Sequence, residues 1–503
     1  MRTDPSHADS VVALSSVQVT GGGAGAEGAV ALPRPTALRP RLALPRVSIA
    51  AGPRAGGLAL VSLVLCALAL VAFSSAGPSV LVPRSDAVFP TWEAGPLHAL
   101  FQGLPANQLT LSYGLSVLVV AMLIAYGVVL AAARTLSVRV VVISVVALHA
   151  ILLMSPPLQL TDVFNYIGYA RLGAFHDLNP YTHVIAGEMH DPVYRLATWH
   201  NLHSPYGPLF TAATYLLPLG SIAVSYWLLK SITVLASLAF LALVWRCAAQ
   251  LGRDPRVALV FVACNPIYLV YAVGGFHNDF FMLVPMMAAV ALLTSATASP
   301  RRDRLAGGVL MLAVAVKFSA VLLLPFLLLA VWPDRRRVRL VLEGAVLATI
   351  PLAALSIAVF GFSIPNLQDQ STLLTDFSIP NVVGLALGIG GGTPALLSVA
   401  KVALVGTVLY LLRRRGDWIT GAGWATLALI ASLAWLMPWY VIWLAPLAAL
   451  GTSIRLRRAT LALTVFLVLT FIPATGLFLN DHGINPLNTP AGLASSALQH
   501  KLS

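Results

Sequence analysis

The chain has 503 residues, 58% of them hydrophobic and only 10% charged, with a net charge of +13. Apolar runs of about 18 residues or more recur along it, which excludes a soluble globular enzyme and places it among all-α polytopic membrane proteins. The positive charge does not indicate nucleic acid, because the arginines stand in short clusters between apolar runs, where they set orientation in a membrane.

Residues 1–54 are rich in Gly, Ala, Ser and Pro and include Arg34, Arg39, Arg41, Arg46 and Arg54. They read as a disordered basic leader on the cytoplasmic side. A transmembrane domain is expected over 55–480 and an external tail over 481–503. Spans are expected near 57–75, 110–132 and 138–155, with an external loop at 76–108. A long outer segment follows, within an outer catalytic loop expected at 156–223. The stretch 207–220 is too short to cross and is expected to lie along the outer surface. That choice puts the clusters Arg301–Arg304, Arg335–Arg339, Arg413–Arg415 and Arg455–Arg458 inside, as the positive-inside rule requires. Further spans are then expected near 221–245, 256–273, 279–296, 304–316, 318–333, 339–360, 394–413, 418–435, 438–452 and 459–478. The total is about thirteen, with the N-terminus inside and the C-terminus outside. Cys66, Cys247 and Cys264 fall in or at the ends of apolar runs without metal-ligand spacing, and read as small core hydrophobes.

In so charge-poor a chain, the window Pro156–Pro208 concentrates Asp162, Asp177, Glu188, Asp191, Arg171, Arg195, five histidines and six Tyr or Trp residues. A solvated tether would be poor in aromatics, so this is the makeup of a folded functional loop. The predicted topology brings three more features to the same face: the turn Gly274-Gly-Phe-His-Asn-Asp279, Lys317 at a hairpin tip, and Trp435-Leu-Met-Pro-Trp-Tyr440.

Ionisable groups near membrane depth are costly and mark function by default. Asp162, beside Asn165 and Tyr166, is placed to deprotonate a hydroxyl nucleophile, or to start a helix. His277 and Asp279 suit a sugar, an anion, a metal or a helix cap, and two ligands without a third make a poor metal site. Lys317 either snorkels to the interface or neutralises a phosphate. Trp435, Trp439 and Trp443 fit an interfacial belt as well as a sugar platform.

Thr161-Asp-Val-Phe-Asn-Tyr166, Asn179-Pro-Tyr181, Asp191-Pro192, Ser204-Pro-Tyr-Gly-Pro-Leu209, His277-Asn-Asp279 and Met437-Pro-Trp-Tyr440 together carry a likeness over roughly residues 56–480. The chain resembles the GT-C superfamily of integral-membrane glycosyltransferases. More narrowly, it resembles the actinobacterial polyprenol-phosphomannose-dependent α-(1→6)-mannosyltransferases that help build lipomannan. The resemblance implies a polyprenyl-phosphate mannose donor and transfer to a glycan or glycolipid acceptor outside the cytoplasmic membrane. It also implies inversion at the anomeric carbon, with Asp162 as general base. Lys317, with Arg171 or His277, would bind the donor phosphate. Asn165, Tyr166, Tyr181, Asp191, Tyr206, Asn278, Asp279, Trp439 and Tyr440 would contact the substrates, and an apolar groove between spans would take the prenyl chain among membrane lipid. Related enzymes often carry Asp-x-Asp here, whereas this chain reads Asp162-Val-Phe164, so a metal-independent reaction without cofactor is expected. The rival readings are a flippase for lipid-linked saccharides, a non-catalytic envelope component, a diphosphate-dependent ligase, or the same chemistry with arabinose, glucose or aminoarabinose.

Overall fold

Helix starts are written into the sequence as capping side chains. Ser137, Ser221, Asp254, Asp334, Asp417 and Ser453 each accept a hydrogen bond from a backbone N–H in the first turn that follows. The computed structural model describes residues 51–76, 90–101, 103, 107–159 and 162–503. Most of the leader expected at 1–54, part of the 76–108 loop, and Leu160 and Thr161 lie outside the described residues. The described residues all belong to one unit, Ile49–Ser503, and contain helices and no strand.

The first helices are α1 (Pro53–Ala76), α2 (Gln108–Ala132), α3 (Val138–Leu153), α4 (Asp162–Phe175), α5 (Pro208–Thr214) and α6 (Ile222–Gln250). Next come α7 (Pro255–Ala263), α8 (Asp279–Leu293), α9 (Pro300–Val316), α10 (Leu324–Val331) and α11 (Arg335–Phe360). The chain ends with α12 (Pro394–Arg414), α13 (Trp418–Ser432), α14 (Val441–Leu450), α15 (Ile454–Phe471), α16 (Pro473–Asp481) and α17 (Pro490–Leu502). Helical segments stand at every position where a span is expected. By length and composition, five of them are able to cross a membrane: α1, α2, α6, α11 and α12. The count rises to seven if two pairs bent by 55° each count as one span. The others are shortened by breaks with visible causes. Asn265 and Pro266 separate α7 from a π-type stretch at Ile267–Val273, Pro473 starts a new helix after α15, and Lys317 takes an extended conformation after α9.

The centre is built from the least polar short segments: all of Ile267–Val273 and all of α14 are buried. At the periphery, no residue of α12 is buried. α9 and α11 cross at glycines. A Cβ on Gly307 would sit 1.9 Å from the Val341 carbonyl oxygen, and one on Gly344 would sit 1.8 Å from that of Arg304. Small residues let helix backbones approach in this way where lipid supplies no hydrophobic drive. Gly344→Val is expected to cost about 1–3 kcal/mol by overpacking. It should lower the unfolding midpoint in detergent, and an unchanged midpoint would contradict so close a crossing.

Candidate active site

Pro156 and Pro157 follow α3, and the loop after them is tied at once to a distant turn: Leu158 N–H donates to the Gly274 carbonyl at 2.9 Å. Gly274 has to be small, since a Cβ there would lie 2.5 Å from the Val270 oxygen and 2.6 Å from Leu158. Phe276 holds φ at +52°, a left-handed conformation that costs a bulky residue energy and turns the next three side chains. Gly207 does similar work at the other wall. Its N–H donates to the Val316 carbonyl at 3.0 Å, and a Cβ would clash with Ala315 at 2.2 Å. Tyr206 is thereby set beside the helix break at Lys317.

These ties assemble a cavity of about 170 Å³ lined by Asp162, Tyr166, Tyr169, Trp199, Tyr206, His277, Asn278, Asp279, Lys317, Trp435, Trp439 and Tyr440, among others. At its floor, Asp279 is 1% exposed, and its Oδ1 accepts from Lys317 Nζ at 2.8 Å and from Trp443 Nε1 at 2.6 Å. The Lys317 ammonium also lies over the rings of Tyr440 and Trp443, at 5.4 and 5.0 Å. His277 stacks on Trp439 with ring centroids 3.7 Å apart, and its Nδ1 is 3.6 Å from Asp162 Oδ2. Burial pushes the Asp162 carboxyl up to about 6, against the pull of Lys317 and of the nearby Trp199 indole. Burial also pushes His277 down to about 3, so its ring is neutral. Three buried polar atoms, His277 Nε2, Asn278 Nδ2 and Asp279 Oδ2, have no partner among the described residues. Orphaned groups of this kind are costly unless something binds them. Among the described residues, no three His, Cys, Asp or Glu side chains gather as a metal site.

Residues 62–333 match the family described as "Alpha-(1->6)-mannopyranosyltransferase, N-terminal domain". The chain belongs to that family. Residues 376–496 match a second description, "MptB C-terminal domain". Similar proteins include alpha-(1->6)-mannopyranosyltransferase A of Mycobacterium tuberculosis, 29% identical over 352 residues. A probable alpha-(1->6)-mannopyranosyltransferase of Mycolicibacterium smegmatis is 27% identical over 378 residues. Each alignment covers 62% of this chain and 65% or 66% of the relative, so the chain spans just under two thirds of their length. No solved structure matches.

In this member of the family, the cavity unites nine of the residues singled out in the sequence: Asp162, Tyr166, Tyr206, His277, Asn278, Asp279, Lys317, Trp439 and Tyr440. Four others lie elsewhere. Arg171 is clamped to Asp191, with Nε 2.8 and 2.9 Å from the two carboxylate oxygens. His176 and the Val193 N–H also bond Asp191. These bonds outweigh the cost of burial and hold the Asp191 carboxyl below its ordinary range. The pair therefore braces the loop outside the cavity. Tyr181 packs on Phe360 and donates to the Tyr206 carbonyl at 2.8 Å. Asn165 is buried and spends its amide on the backbone of Thr198 and Trp199. Sequence reasoning missed Trp199 and Tyr169 on the wall and Trp443 as a donor to Asp279. Their aromatic type was visible, but their partners were not.

Removing Lys317 leaves a buried carboxylate half satisfied. Lys317→Met is expected to destabilise the protein by about 3–5 kcal/mol, and the double variant with Asp279→Asn should recover part of that loss. Thermal unfolding in detergent measures both. A Lys317→Met protein as stable as wild type would refute the pairing.

Proposed function

We propose that this protein is a membrane mannosyltransferase that moves mannose from a polyprenyl-phosphate donor to a mannoside acceptor, forming an α-(1→6) bond. The observation that carries this reading is one cavity holding a raised-pKa carboxylate, an ammonium and three unpartnered polar atoms under an aromatic wall. That combination suits a sugar held by hydroxyl hydrogen bonds and ring faces, between a base and an anion-binding group.

Asp162 takes the proton of the acceptor hydroxyl as its oxygen bonds to the anomeric carbon. The bond from that carbon to the phosphate oxygen breaks, and its electron pair leaves on the polyprenyl phosphate. Attack in line converts a β-linked donor into an α-mannoside. Lys317 has N–H donors left beyond the one given to Asp279, and these stabilise the charge developing on the leaving phosphate. His277, being neutral, serves as a hydrogen-bonding group there. Asn278 and the open oxygen of Asp279 bind donor hydroxyls, and the reaction proceeds without bound metal. The proposal includes the wider frame: about thirteen spans over 55–480, a cytoplasmic N-terminus, a C-terminal segment outside, and a cavity open to the outer face of the cytoplasmic membrane.

Membranes carrying wild-type protein should transfer radiolabelled mannose from polyprenyl-phosphate mannose to a short α-mannoside, and excess EDTA should leave the rate unchanged. Asp162→Asn should lose about 10²–10⁴-fold, and equal transfer by both forms would remove Asp162 as the base. Because the base acts ionised and burial raises its pKa to about 6, kcat/KM should fall as pH drops through about 6. An acid limb at the ordinary carboxylate value would contradict this role.

A further inference from the structure

The last helix, α17, touches the cavity from behind. Trp199, Leu202 and Leu373 line the cavity on one side, and on the other they form a buried cluster with Leu502 of α17. Trp435, which also lines the cavity, and Leu498 pack against that cluster. The contact is hydrogen-bonded as well as apolar. Asn201 N–H donates to the Leu502 carbonyl at 3.0 Å, and Leu374 N–H donates to the Ser495 hydroxyl at 2.7 Å. Neither the 199–202 segment nor the 373–374 segment has regular secondary structure of its own. An irregular segment keeps a fixed place only where its backbone groups and apolar side chains are satisfied from outside. Here α17 supplies both. Trp199 is the residue that matters, since it lines the cavity together with Asp162 and its indole draws that carboxyl toward its ionised form, and its backbone is held by Asn165.

We propose that Leu498 and Leu502 are positioning residues of the active site: by seating Trp199, α17 fixes the cavity wall that the Asp162 carboxylate faces. The proposal rests on the reading of Asp162 as the base. A donor N–H on a carboxylate favours its ionised form, so unseating Trp199 acts on the proton affinity of Asp162 as well as on its position. The other groups facing Asp162 are Lys317, His277 and Asp279, with the hydroxyls of Tyr166, Tyr169, Tyr206 and Tyr440. None of them lies on α17, so apolar substitutions there reach Asp162 through the wall cluster that contains Trp199.

The test compares wild type, Leu502→Asp, Leu498→Asp, Leu502→Met, Trp199→Phe and, as a control, Leu493→Ser on the exposed side of α17. Leu502→Asp and Leu498→Asp should lower kcat on the order of 10- to 100-fold, the cost of a misplaced reacting group, and move the acid limb to higher pH. Trp199→Phe, which removes the indole N–H and keeps a smaller aromatic ring, should move the limb in the same direction. Leu502→Met should restore wild-type behaviour, and Leu493→Ser should match it. Aspartate variants with wild-type kcat and acid limb would overturn the proposal, as would a Trp199→Phe limb that stays in place. If an aspartate variant does not accumulate, Leu502→Ala replaces it with the same expected directions. If wild-type membranes transfer no mannose, the activity reading falls instead. Quenching of tryptophan fluorescence by polyprenyl-phosphate mannose then decides α17: weaker quenching in Leu502→Asp than in wild type supports it, and equal quenching overturns it.

Discussion

One buried carboxylate organises the site. Asp279 sits at the start of a helix, 1% exposed, and draws in two donors from separate parts of the chain, Lys317 and Trp443. A lone carboxylate at that depth would be untenable. Its presence therefore requires that the break after α9 and the start of α14 meet where they do. The turn before it is strained at Phe276, and the strain is tolerated because packing and hydrogen bonds over-determine the conformation. With these pieces fixed, the oxygen of Asp279 that accepts no hydrogen bond from the protein, together with the orphaned atoms of His277 and Asn278, faces the cavity as a preorganised set.

Asp162 is placed by a different logic. It gains little from direct pairing: its carboxyl feels Lys317 at a distance, stands 3.6 Å from a neutral imidazole and shares the cavity wall with the Trp199 indole. Burial wins over all three, so the group stays basic enough to accept a proton near neutrality. Asp191, on the same loop, has the opposite fate because Arg171, His176 and a backbone N–H all satisfy it. Two acids of one segment thus shift in opposite directions, by the number of donors each meets.

Much of this was legible before any coordinates. Charge is so scarce in the chain that Asp162, His277, Asp279 and Lys317 stood out, and one cavity unites them. The helices were legible too, because apolar runs and capping residues mark them directly. The pairing of Arg171 with Asp191 was not, since they stand 20 residues apart across a largely irregular segment that no periodicity folds. Trp443 reaches Asp279 across 164 residues, and α17 returns to Asn201 across 301 residues. Contacts of that span depend on packing, which leaves no local trace. Asn165 shows the same blindness at short range: it reads as a polar site residue, yet its amide is consumed in holding the backbone of Trp199.

Two carboxylates and one ammonium meet at this floor, and the ring between them is uncharged. With Asp162 ionised, the inventory sums to about one negative charge. For the anionic lipid donor proposed above, this floor supplies no long-range attractive field, and capture would respond only weakly to ionic strength. Attraction has to come from burying hydrocarbon and from contacts made at the last few ångströms. Selectivity is left to the shape of the aromatic walls, and the rate of encounter to lateral diffusion in two dimensions.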